Sequence, residues 1–241
     1  MPNTKPTVEV CFAPPLYEYK LTQENYITVV VDILRASTSI CTALYNGANK
    51  IIPVPTVDIA STYIGTGYLI AGEREGIKLD IADLGNSPTQ FTKENVMGRS
   101  IVMTTTNGTQ TIEMAKTADQ VAIGAFVNIS ILAEWLIAQH TNVVIFCSGW
   151  KNKMNLEDSV FAGALCEKLL ANNEFENICD SVSAALDLWS IARRDLNHYI
   201  NKALHNQRLT RMGFEDVIPY CLSNDLAPVV PVLKDNEIVK A

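Results

Sequence analysis

Short apolar runs closed by polar residues, each followed by a stretch with helical spacing, recur along most of this chain, and that alternation restricts the fold more than any other feature. Strands alternating with helices imply a mainly parallel sheet with helices on its faces. The run from Tyr26 to Leu34 is the clearest case. Its stretch Val29-Val30-Val31 leads into Asp32, Arg35 and the hydroxyl residues Ser37, Thr38 and Ser39, after which Ile40, Ala43 and Leu44 mark a helix. Such a junction lies at the carboxyl edge of the sheet, where open α/β folds bind ligands and a helix N-terminus favours anions. Asp32 cannot be buried ionised without a partner; Arg35 is one candidate and a metal ion another. The plainer account makes Asp32 and Arg35 an ion pair and Ser37 or Thr38 a helix cap.

Thr7 to Phe12 reads as a first strand, and the helix after Asp32 runs to about Tyr45, stopping at Asn46-Gly47 before a strand over Lys50 to Val54. Thr56 or Asp58 caps the next helix. Tyr68 to Ala71 is a short strand ending in Gly72-Glu73-Arg74-Glu75-Gly76, a second acid and base at a strand end. In the tight loop Leu84 to Pro88, Asn86 and Ser87 offer side-chain donors beside backbone N–H groups, although Asn-Ser-Pro is also an ordinary helix start. Ser100 to Met103 is a strand that enters Thr104-Thr105-Thr106-Asn107-Gly108-Thr109. Hydroxyl and amide side chains around one glycine make either a cradle for an anionic group or a Thr-rich turn with one cap. The Walker A pattern is absent, so a nucleoside triphosphate is not the favoured ligand.

Strands over Asp119 to Phe126 and Asn142 to Cys147 bracket a helix capped by Asn128 and ended by His140, whose ring suits the helix dipole. Leu156-Glu157-Asp158 opens a long helix to Leu170, and acids are common in a first turn. From Asp180 to Met212 the pattern is helical; Phe214 to Leu222 adds one short helix, and Ala227 to Leu233 with Glu237 to Val239 forms a terminal hairpin.

The hydrophobic share of 48% and charged share of 19% are those of a globular protein. The 241 residues make one unit over 1–241, or two lobes, 1–140 and 141–241, with no flexible linker. No apolar run reaches membrane-spanning length and the Met1 to Lys5 start lacks a signal-peptide core, so a cytoplasmic location is expected. Six cysteines without a CxxC pair read as free, mostly buried thiols. A net charge of −7 argues against nucleic acid, so an anionic ligand must be met by a local cluster of donors.

Taken together, Val-Asp-Ile-Leu-Arg-Ala-Ser-Thr at 31 to 38, Gly-Glu-Arg at 72 to 74, Gly-Asn-Ser-Pro at 85 to 88 and Thr-Thr-Asn-Gly-Thr at 105 to 109 resemble the ComB family of 2-phosphosulfolactate phosphatases. The resemblance continues through Gly124 to Asn128, Leu156 to Asp158 with Ala162-Gly163, and the tail containing Gly213-Phe214, Asp216-Val217 and Val229-Val230-Pro231. It implies a magnesium-dependent phosphatase that hydrolyses 2-phosphosulfolactate to sulfolactate and phosphate, a step in coenzyme M biosynthesis. The implied fold is α/β, with mainly parallel sheets, flanking helices and two α/β lobes packed together. Two departures bear on the substrate: Ala82-Asp83-Leu84, where an aromatic usually precedes the acid, and Ala203-Leu204-His205-Asn206, where small residues are expected.

On this reading Asp32, Arg35, Glu73 and Arg74 carry catalysis, and Asp32, Glu73, Glu157 and Asp158 are the candidate ligands for Mg2+, which prefers oxygen donors and keeps some of its water. Ser37, Thr38, Asn86, Ser87, Thr105, Thr106, Asn107, Gly108, Thr109 and Asn128 would bind the small anionic phosphorylated substrate. Asp32 could instead be a nucleophile, but Leu34 stands where haloacid-dehalogenase phosphatases place a second Asp, which favours direct attack by water. A phosphatase for another small acid and a non-catalytic anion-binding homologue are the rival readings. The oligomeric state, a homo-oligomer included, is left open.

Overall fold

The computed structural model describes residues 5–241, so all of the Met1 to Lys5 start except Lys5 lies outside the described residues. Among the described residues eleven strands form one mixed sheet. They are β1 (Thr7–Cys11), β2 (Tyr26–Val31), β3 (Lys50–Pro53), β4 (Leu69–Arg74), β5 (Ile77–Lys78), β6 (Ser100–Thr104), β7 (Gln120–Gly124), β8 (Asn142–Cys147), β9 (Glu176–Asn177), β10 (Pro231–Lys234) and β11 (Glu237–Lys240). Their spatial order is β5-β4-β6-β3-β11-β10-β7-β2-β8-β1-β9. Helices α1 (Ala36–Tyr45), α2 (Val57–Ser61), α3 (Lys93–Val96), α4 (Gly108–Ala115), α5 (Ile129–Gln139), α6 (Leu156–Leu170), α7 (Asp180–Ala192), α8 (Leu196–Ile200), α9 (Leu204–Arg211) and α10 (Ile218–Cys221) complete the expected α/β architecture.

The sheet holds two parallel groups, β4-β6-β3 and β7-β2-β8-β1-β9, joined by the antiparallel hairpin β10–β11. The larger group mixes strands from both sides of residue 140. Central β2 is buried along its whole length, which is why Tyr26 to Val31 reads as a continuous apolar run rather than an alternating one. Through the hairpin the two groups run in opposite directions. In a flat sheet their carboxyl ends would lie on opposite edges. Five strand steps separate β2 from β6, and a twist of about 20–25° per step turns one group against the other by roughly 100° or more. Helix α4 packs against both β2 and β3, between the groups. The loops after β2, β4, β6 and β8 therefore meet.

On the outer face α6 and α7 approach so closely that a Cβ at Gly163 would lie 2.0 Å from the Ala185 carbonyl oxygen. The helical pattern from Asp180 to Met212 is divided into α7, α8 and α9. Asp195 accepts a 3.0 Å hydrogen bond from the His198 N–H and starts α8 afresh, and the chain turns again before α9. Strands β5 and β9, two residues each, are too short to show a period in sequence. His140 ends α5 in the left-handed region, with φ of 49°. All six cysteines are free, and all but Cys179 are buried. No described helix is long and apolar enough to cross a membrane.

Candidate active site

At the end of β2 the Asp32 N–H donates to the Ser37 hydroxyl (2.8 Å), the Ser37 N–H to the Asp32 carbonyl (2.9 Å), and the Ala36 N–H to Asp32 Oδ1 (3.2 Å). Thr38 donates its hydroxyl proton to the Ile33 carbonyl at 3.0 Å. The hydroxyls of Ser37 and Thr38 are thus engaged in shaping the turn that presents Asp32. Its second oxygen faces the start of α4, where a Cβ on Gly108 would lie 2.8 Å from Oδ2 and 2.6 Å from the Ala36 Cβ. Burial, reinforced by the nearby negative charge of Glu73, pushes the Asp32 carboxyl up to about 6.

Arg35 is buried at 4% exposure, with its guanidinium 4.0 Å above the Phe214 ring and its Nη1 lacking a hydrogen-bond partner among the described residues. Asp32 and Arg35 form no ion pair among the described residues. Burial lowers the pKa of Arg35, while the charges of Glu73 and Asp32 oppose that shift.

Glu73 joins two loops. Its carboxylate accepts from the Thr106 N–H (2.8 Å), the Thr106 hydroxyl (3.1 Å) and the Gly76 N–H (2.5 Å). Thr105 and Thr109 satisfy each other, each N–H donating to the other's hydroxyl at 3.0 and 3.1 Å. Asn107 Oδ1 accepts from the Lys151 N–H at 3.3 Å, which ties this loop to the one after β8.

The two acids opening α6 differ sharply. Asp158 accepts from the Ile33 N–H (2.8 Å), the Gly149 N–H (3.1 Å) and the Asn155 amide (2.8 Å), clamping the β2 and β8 loops together. Glu157 is fully buried and neither carboxyl oxygen has a partner among the described residues. Burial, with the charge of Asp32 adding to it, pushes Glu157 up to about 7; burial and the charges of Glu157 and Asp32 raise Asp158 well above the usual carboxylate range.

These loops enclose a small cavity of about 20 Å³ whose lining includes Asp32, Arg35, Glu73, Asn86 and Asn107. Asn86 Oδ1 is buried there without a partner among the described residues. Arg74, by contrast, donates to the Thr104 hydroxyl at 2.8 Å and to the Glu73 carbonyl at 2.7 Å, and it does not line this cavity. Ser87 pairs with the Thr89 hydroxyl at 2.9 Å. Asn128 accepts from the Ala125 N–H and donates to the Ile123 and Val229 carbonyls, and it too lies off the cavity lining.

Trp150 and His205 also line the cavity, although sequence reasoning assigned neither a role. His205 Nε2 lies 2.7 Å from the Leu34 carbonyl, so it must carry the ring proton and donate it; Nδ1 is then a free acceptor, buried without a partner among the described residues. Burial pushes this imidazole down to about 4 and keeps it neutral. Its ring stacks on Trp150 at 4.7 Å between centroids. The available signal was the departure at Ala203 to Asn206.

Among the described residues no three His, Cys, Asp or Glu side chains gather into a metal cage. Magnesium needs less, since it usually keeps several waters and takes one or two carboxylates together with substrate phosphate. Glu157, which lines the neighbouring cleft rather than this cavity and has two buried oxygens without a partner among the described residues, and Asp32, with Oδ1 held by a single backbone donor, are carboxyls of the kind that donor set uses, and the charge of Asp32 is felt at Glu157. Asp158 and Glu73 already have their oxygens engaged.

A family model described as 2-phosphosulpholactate phosphatase matches residues 11–236. A protein of Caldanaerobacter subterraneus named probable 2-phosphosulfolactate phosphatase is 36% identical over 216 residues, covering 88% of this chain and 89% of its own. Proteins of the same name from Clostridium novyi and Pseudothermotoga lettingae are each 35% identical, covering 90% and 97% of this chain and 93% and 98% of their own.

Proposed function

Since this chain belongs to the 2-phosphosulfolactate phosphatase family that its motifs resemble, we propose that it is a magnesium-dependent phosphoric monoester hydrolase converting 2-phosphosulfolactate and water to sulfolactate and phosphate, the coenzyme M biosynthesis type of reaction. The observation that carries the metal-dependent reading is Glu157: a fully buried carboxyl with no hydrogen-bond partner among the described residues, electrostatically linked to Asp32. An uncompensated buried acid either stays protonated or meets a cation. Asp32 and Glu157 would hold the ion, which supplies Lewis-acid polarisation of the phosphoryl oxygens and a pre-oriented water.

Arg35 is held against Phe214 before any ligand arrives, so its free Nη1 offers a charged donor to a phosphoryl oxygen without reorganising. Asn86 and Asn107 add uncharged polar groups on the same cavity. Glu73, Thr105, Thr106 and Thr109 hold the loop that brings Asn107 and Gly108 to Asp32. The resulting site bears charges of both signs, which suits a multiply anionic substrate met through a metal and an arginine.

Phosphate release from 2-phosphosulfolactate, measured with magnesium and with chelator, tests this reading. Turnover that requires magnesium and is lost in Asp32→Asn is the expected result. Binding of the substrate without turnover in either condition would replace an enzyme with an anion-binding protein.

A further inference from the structure

A second and far larger cleft, of about 610 Å³, opens between the loop after β8 and the α8–α9 segment. Trp150 and His205 line both spaces, so the cavity and the cleft adjoin at the stacked pair. At about 20 Å³ the inner cavity has room for roughly one water, which leaves the body of any phosphate ester outside it. The outer cleft falls within the range of about 300–1,000 Å³ that encloses drug-sized ligands, and a phosphorylated three-carbon acid fills little of it.

Its chemistry is equally specific. Lys153, Lys202, Arg208 and Arg211 line it against one carboxylate, Glu157, in a chain whose net charge is −7. Of these cations, Arg208 alone lies within 4.0 Å of an acid, Glu75, among the described residues. Arg208 is fixed 4.3 Å above Trp150, and its Nη1 is buried without a partner among the described residues. Between the cations the lining is apolar: Met154, Leu156 and Leu204, the last 83% exposed and so contributing little to the core. A carbon surface ringed by cations, of which Lys153, Lys202 and Arg211 have no acid within 4.0 Å among the described residues, matches an amphipathic anion.

The geometry points to this cleft as a subsite for the substrate's body, so that the enzyme also takes phosphomonoesters larger than a three-carbon acid, with an apolar or aromatic body ending in a second anion. This rests on the phosphatase reading of the inner site. The phosphate lies toward Asp32 and Arg35, the body crosses Met154 and Leu204, and Arg208, Arg211 and Lys202 receive the distal anion.

Three esters separate the claims: 2-phosphosulfolactate, phenyl phosphate, and 4-carboxyphenyl phosphate, which adds the distal anion to the aromatic body. The wild-type kcat/KM should favour 4-carboxyphenyl over phenyl phosphate by about tenfold, the size of one hydrogen bond to a charged group. Arg211→Glu should erase most of that preference through KM, and Arg211→Gln, which removes only the charge, should erase part of it. The same preference in wild type and both variants would overturn the subsite. So would turnover of 2-phosphosulfolactate with neither aromatic ester accepted, an outcome that leaves the phosphatase reading intact. If none of the three is hydrolysed, the phosphatase reading fails, and calorimetric titration with 4-carboxyphenyl phosphate decides the cleft alone. Binding weakened about tenfold by Arg211→Glu supports it, and binding that is absent or unaffected overturns it.

Discussion

His205 donates a 2.7 Å hydrogen bond to the backbone carbonyl of Leu34, which ties helix α9 to the turn between Asp32 and Arg35. The segment that covers the site is therefore coupled to the residues beneath it. His205→Phe keeps a ring against Trp150 and removes the bond, so kcat should fall about tenfold while the circular dichroism spectrum stays unchanged. A kcat equal to that of wild type would mean the bond does not position the turn.

Arg35, three residues after Asp32, and Arg74, next to Glu73, should behave differently. Arg35→Ala removes a buried, pre-oriented charged donor from the cavity and should lower kcat about 100- to 1,000-fold. Arg74→Ala loses contacts to Thr104 and the Glu73 backbone and should cost less than tenfold. Steady-state kinetics on the two variants checks the order, and a larger effect at Arg74 would contradict the geometry.

Glu157 and Asp158 are neighbours with opposite expected phenotypes. Asp158→Asn exchanges an acceptor for a donor against N–H partners and should destabilise the fold by about 2–4 kcal/mol, read as a shift in the denaturation midpoint. Glu157→Gln should keep the fold and weaken magnesium affinity, read by calorimetry.

In chelator the same acids set a pH dependence. Asp32 and Glu157 have folded pKa values raised to about 6 and about 7, so across the window from their usual values to these the folded state binds more protons than the unfolded. Stability from these two is present at low pH and lost as pH rises through about 6 to 7. His205, pushed down to about 4, acts in the opposite sense: below its usual value the unfolded state binds the extra proton, so its share is lost as pH falls toward about 4. The acids outnumber it. Removing the Glu157 charge should therefore raise the metal-free melting temperature at pH 8 by about 2–4 °C and flatten its fall between about pH 5 and 7. A melting temperature that climbs steadily from about pH 5 to 7 in chelator would show that these carboxyls are not buried as described.

Gly108→Ala tests the approach of α4 to Asp32. The new Cβ would meet Asp32 Oδ2 at 2.8 Å and the Ala36 Cβ at 2.6 Å, so the carboxylate must shift. A displacement approaching an ångström at a reacting group costs about hundredfold in rate, and kcat/KM should fall by that order.

The sequence disclosed the layered α/β plan because β2, β6 and β8 are apolar runs that end in polar loops, a pattern dictated by local burial. The meeting of Asp32, Glu73 and Asn107 was legible as recurrent polar strand ends. What each polar residue does there was not, because that depends on neighbours remote in sequence. Thr105 reads as an anion donor until Thr109 is seen to occupy it, and Asp158 as a metal ligand until the Ile33 and Gly149 amides are seen upon it. Trp150 and His205 carry no motif; their partnership arises from loops that only the tertiary fold apposes. The reversal between the parallel groups was equally hidden, since a hairpin at residues 231–240 gives no sign of where it inserts.

That insertion has a consequence for biogenesis. Strands β10 and β11 leave the ribosome after every residue lining the inner cavity, yet the sheet cannot join its halves without them. A nascent chain thus carries the complete chemical inventory before the two strands that join the parallel groups have emerged, so the sheet is the last part of the site's support to be completed.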